Sequence, residues 1–92
     1  MAQLHEENQK EEKVIVGGVY EHYKKKAPDG LPARYKVLAL AKHSETLEDM
    51  IVYEAQYQNT LSKTWVRPAA MFAGVVSHDG RNIPRFRLIL CP

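Results

Sequence analysis

The chain has 92 residues, 45% of them hydrophobic and 26% charged, with a formal net charge of +2. That composition excludes a disordered chain and leaves room for one hydrophobic core, not two. The lone cysteine, Cys91, excludes an intrachain disulfide and any cysteine-held zinc or iron–sulfur centre, and no segment approaches the ~20 apolar residues of a membrane span.

Met1–Lys13 carry four Glu and two Lys and almost no apolar surface. They read as a flexible charged tail, dispensable for folding and lacking the basic start and apolar run of a secretory signal. Residues 14–92 are expected to form a single small domain in a reducing, cytoplasmic compartment. They hold 11 Lys and Arg against 7 Asp and Glu, which suits anionic partners without supplying the dense basic face of a phosphate-backbone binder.

The first strand is predicted within Val14–Lys24, begun by Gly17-Gly18, with Tyr20 and His22 on the face opposite Val19 and Tyr23. Lys24 through Pro32 form a turn-rich loop around Asp29-Gly30. Arg34–Lys42 is apolar on alternate and intervening positions alike, as expected of a central strand covered on both faces. His43–Asp49 is a polar turn too short for a crossover helix, so the next strand is antiparallel to it. In that strand, Met50–Gln58, the residues Ile51, Tyr53, Ala55 and Tyr57 share one face.

Thr64–Arg67 reads as a short strand stopped by Pro68, which opens a single helical turn through Phe72. Val75–His78 and Arg81–Ile83 flank Asp79-Gly80, a two-residue hairpin signal, and Arg85–Leu90 supplies the last strand. Together these elements predict a mainly β fold: a small, SH3-like, partly open barrel of five or six short strands with one helical turn.

Three chemistries compete for the polar residues. The favoured reading is a binding module without cofactor or metal, its pocket lined by Tyr20, His22, His43, Glu45, Tyr53, Trp65 and Arg67, which recognises a small polar or anionic ligand or a peptide. It assumes that Val66 faces the core, which sends Trp65 and Arg67 to the opposite face as an exposed platform; the competing assignment puts Trp65 in the core and pairs Arg67 with Glu54. A nucleic-acid-binding small barrel is the alternative, with Arg34, Arg67, Arg85 and Arg87 interleaved among tyrosines. The third is a minimal hydrolase acting through His22 or His43 and Glu45, although no nucleophile elbow, phosphate loop or metal-ligand spacing accompanies them. A homodimer is compatible with so small a core.

Several ordered blocks carry a resemblance: Gly18-Val19-Tyr20-Glu21-His22-Tyr23-Lys24, Tyr35-Lys36-Val37-Leu38, His43-Ser44-Glu45-Thr46-Leu47-Glu48, Val52-Tyr53-Glu54-Ala55, Trp65-Val66-Arg67-Pro68 with Met71-Phe72, and Pro84-Arg85-Phe86. From about Gly17 to Phe86 the chain resembles the bacterial DUF1653 family, proteins grouped as a domain of unknown function. The resemblance implies a small β-barrel-like domain and brings no assigned chemistry. The Lys25–Ala33 loop and the charged tail depart from the family's pattern.

Overall fold

The computed structural model describes residues 14–92, so the expectations for the charged tail lie outside the described residues. Four strands follow one another as a meander: β1 (Val19–Lys26), β2 (Pro32–Lys42), β3 (Asp49–Ala55) and β4 (Thr64–Pro68). The helical turn α1 (Ala69–Phe72) comes next, then β5 (Val75–His78), β6 (Arg81–Pro84) and β7 (Phe86–Leu90). The main sheet has the order β4-β3-β2-β1-β7, every pair antiparallel, while β5 and β6 form a separate two-stranded hairpin. The fold is mainly β, as the alternation predicts, with seven strands among the described residues in place of five or six. The sheet is not closed into a barrel, because β4 and β7 remain its two edges.

Turn chemistry sets the registers. The lysine run belongs to β1 and not to a loop: Lys26 pairs with Pro32, and the turn is confined to residues 27–31, where the Asp29 carboxylate accepts the Leu31 N–H at 3.0 Å. In the hairpin, Asp79 at φ 54° and Gly80 at φ 78° are the two left-handed positions that a tight, right-twisted connection requires. The neck of that hairpin is pinned where the Arg85 N–H donates to the Gly74 carbonyl and the Tyr23 N–H donates to the Arg85 carbonyl, each at 3.0 Å.

One face of the sheet makes the core. Tyr20 of β1, Ala33, Tyr35 and Val37 of β2, Ile51, Tyr53 and Ala55 of β3, and Phe86 of β7 are all buried there. Phe72 covers them from α1, stacked on Phe86 with 4.1 Å between centroids and 3° between planes, and set edge-on to Tyr20 at 5.2 Å. The other face is bound laterally by Glu21, which accepts from Arg87 at 2.9 Å and Arg34 at 3.4 Å across both neighbouring strands.

β2 departs from expectation, since it is not covered on both faces. A register shift between Val37 and Ala39 reverses the alternation, and everything from Leu38 to Lys42 is exposed, Leu40 by 59%. Val66, on the other side of β4 from the core, is 57% exposed as well. At the far end of the sheet Gly17 lies against Pro92, so close that a Cβ on Gly17 would come within 2.9 Å of the proline ring. No helix among the described residues is long and apolar enough to cross a membrane.

Candidate functional site

The sheet register decides where the predicted site residues point. Residues directly opposite in an antiparallel pair share a face, and Trp65 lies opposite Tyr53 while Arg67 lies opposite Ile51. Trp65 and Arg67 are therefore on the core side and Val66 is outward, which rules out the exposed platform and agrees with the competing assignment as to Trp65. Tyr20 and Tyr53 are core residues, and the Tyr20 hydroxyl accepts the Ile15 N–H at 3.0 Å. Arg67 makes no ion pair with Glu54, which meets Lys63 at 3.7 Å. Its Nε donates to the Tyr53 hydroxyl at 3.4 Å, and its guanidinium lies 5.4 Å from the centre of the Phe86 ring, the geometry of a cation–π contact.

His22 reaches the same ring from β1. It pairs opposite Phe86 and meets it edge-on, 5.0 Å between centroids, while Tyr23 stacks against its own imidazole. The His22 Nδ1 accepts two backbone N–H groups, from Lys24 at 3.1 Å and Lys25 at 3.0 Å. A neutral imidazole whose Nδ1 accepts must carry its proton on Nε2, so the outer nitrogen of His22 is a donor. Burial, reinforced by the positive charges of Arg67, Arg85, Lys25 and Lys24, pushes the His22 pKa down to about 4.

Arg85 completes this region, although the predicted pocket omits it. It precedes Phe86 in the chain, is half-buried, and has a buried Nε without a hydrogen-bond partner. Trp65 Nε1 is the other buried side-chain atom left without one among the described residues. Both orphans are N–H donors. The sequence signal for Arg85 was the Pro84-Arg85-Phe86 block, whose meaning depends on a long-range pairing of β7 with β1 that no local pattern reveals.

His43 and Glu45 are elsewhere. Leu40 lies opposite Ile51, which lies opposite Arg67, and His43 is three residues further along, about 10 Å at the rise of a strand. There His43 Nδ1 accepts the N–H groups of Glu45 at 3.1 Å and Thr46 at 3.3 Å, and Thr46 Oγ1 accepts that of Glu48 at 3.2 Å. These side chains hold their own turn together. No cluster of three potential metal ligands exists among the described residues. A cavity of 620 Å³ opens between Pro28 and the 57–63 segment, lined by Tyr57, Gln58, Asn59, Thr60 and Lys63, and it contains none of the predicted site residues.

With this geometry in hand, the family can be placed. The family model described as a protein of unknown function, DUF1653, matches residues 18–88, most of the chain, from before β1 into β7. The chain belongs to the DUF1653 family. A crystal structure of a DUF1653 protein from Bordetella bronchiseptica is similar to it, at 28% identity and a TM-score of 0.69, covering 83% of this chain and 88% of that one. No curated protein matches. The DUF1653 match spans His22, Arg67 and Arg85 alike, together with the Phe86 ring that His22 and Arg67 contact.

Proposed function

We propose that this DUF1653 domain is a cytoplasmic, non-enzymatic binding module for an anionic ligand, held beside Phe86 by Arg67, Arg85 and His22. One observation carries the reading: the two half-buried guanidinium groups have no carboxylate partner among the described residues, whereas Arg34, Arg87, Lys42 and Lys63 are all ion-paired. Partly buried cations are costly unless something neutralises them. The groups around Phe86 also offer donors and no free carboxylate, which suits a ligand made of acceptors. A hydrolytic role for His22 has less support, because its Nδ1 lone pair is occupied by backbone donors and a pKa of about 4 makes it a poor base at neutral pH.

The test is a titration of ¹⁵N-labelled protein with sodium phosphate and with sodium acetate at constant ionic strength. At least one anion should shift the Arg67 and Arg85 Nε–H signals saturably, and Arg67→Ala should weaken that binding at least tenfold. Shifts that stay linear in concentration for every anion would remove the proposal.

A further inference from the structure

We infer that the domain forms a two-fold dimer by packing the outer face of its sheet on the same face of a second copy. Residues directly opposite in an antiparallel pair share a face, and two rows of them cross β2, β3 and β4. Ala39 is opposite Val52, which is opposite Val66; Ala41 is opposite Met50, which is opposite Pro68. Val66 is outward, so both rows lie on the side away from the core. All six side chains are apolar. Ala39, Ala41 and Val66 are exposed and the other three half-buried, while the helical turn α1 lies on the core side through Phe72. An apolar patch on a sheet face is stable when a second layer covers it.

Charge and shape select a second copy as that layer. Residues 1–13 contain only Met1, Ala2 and Leu4 as apolar residues, too few to cover the patch. At its margins Lys42 is paired with Asp49 at 2.6 Å and Lys63 with Glu54 at 3.7 Å, so the face carries no unbalanced charge with which to attract a strongly charged partner. The rows are graded in size, from Ala39 through Val52 to Val66 and from Ala41 to Met50 and Pro68. A two-fold axis running along β3 between the facing sheets sets Val66 over the partner's Ala39, Val52 over the partner's Val52, and Pro68 over the partner's Ala41. Large side chains then meet small ones, as interdigitating layers require. A patch of three short strands belongs at the small end of specific interfaces, under about 1,200 Å² in total, so the dimer is reversible, with a Kd on the order of 100 µM. Arg67 and Phe86 are on the core side of each sheet, outside the contact, so the dimer and the anion site stand or fall separately.

The experiment is sedimentation velocity of the full chain from 10 µM to 1 mM, with a methyl NMR dilution series over the same range. A monomer–dimer equilibrium should appear, and the Val52 and Val66 methyl signals should move with concentration while those of Val37, in the core, stay still. Val66→Lys and Ala41→Lys, both at exposed positions, should each raise the Kd at least tenfold. Leu31→Lys, which adds the same charge in the 27–31 turn, should leave it unchanged. A chain that is monomeric at 1 mM overturns the proposal, and methyl contacts from residues 1–13 to Val66 in that monomer would assign the face to that segment instead. A dimer weakened by Val66→Lys but not by Ala41→Lys pairs through the β4 edge, which overturns the face-to-face arrangement, and a dimer weakened by neither uses another surface and overturns it as well. If the lysine variants do not fold, the wild-type dilution series decides, since Val52 and Val66 signals that stay still while the dimer forms also overturn the proposal.

Discussion

Phe72 shows how much one side chain contributes in a sheet covered from one side. It is 1% exposed, belongs to a helical turn of four residues, and touches Tyr20, Tyr53 and Phe86. Phe72→Ala should cost about 3–5 kcal/mol, measured by urea unfolding, because the turn is too short to collapse into the space. His22 supplies a pH dependence with a definite sign. Its folded pKa of about 4 lies below the ordinary 6.5, so the unfolded chain takes up the proton first. The stability that neutral His22 retains is complete above about pH 6.5 and declines as the pH falls toward 4. Glu21 acts in a lower window: Arg87 first and Arg34 second, against a little burial, hold its carboxyl below 4.5, so its contribution is lost only in stronger acid. Thermal melts between pH 7 and pH 5 should therefore show a fall that is smaller in His22→Asn. The sequence marked His22, Trp65 and Arg67 but not the side of the sheet they occupy. Alternation fixes which residues share a face, not which face is buried, and the exposed Val66 is as apolar as a core residue.

The strands and turns were more legible, because turn residues have local causes. Asp79-Gly80 was readable as a hairpin from two residues, and both take positive φ. No side chain crowds Gly80, so Gly80→Val would be strained by backbone geometry alone and should destabilise by roughly 1–2 kcal/mol, seen as faster hydrogen exchange in β5 and β6. Leu47 was not readable in that way. It sits at φ 64° with its side chain 67% exposed, a left-handed position occupied by a residue that gains little from it. Leu47→Asn should raise the melting temperature by a few degrees, as expected for relief of up to about 1 kcal/mol of strain. The second strand misled for a physical reason. A run such as Val37-Leu38-Ala39-Leu40-Ala41 reads as buried on both sides, but the register shift after Val37 rotates its second half out of phase, and those side chains project past the covered part of the sheet.

At the scale of the molecule, protection should follow the sheet order. Amides of β1, β2 and β3 have partners on both sides and should exchange most slowly, while the β5–β6 hairpin, outside the main sheet, should exchange fastest. Equal protection throughout would mean that the hairpin is part of the cooperative unit. The meander β1 to β4 was predictable from short connections. The return of β7 to β1 was not, since it joins residues about as far apart in sequence as the fold allows, Val19 with Leu90 and His22 with Phe86. That same return brings Gly17 and Pro92 into contact, which makes the order of the strands along the chain a matter of choice. A circular permutant that links residue 92 to residue 14 through a short glycine bridge and begins at Gly30 would turn the β7–β1 pairing into a local event and the β1–β2 pairing into a distant one. Its equilibrium stability should stay near that of the parent chain, while its refolding rate changes with the new distribution of loop lengths.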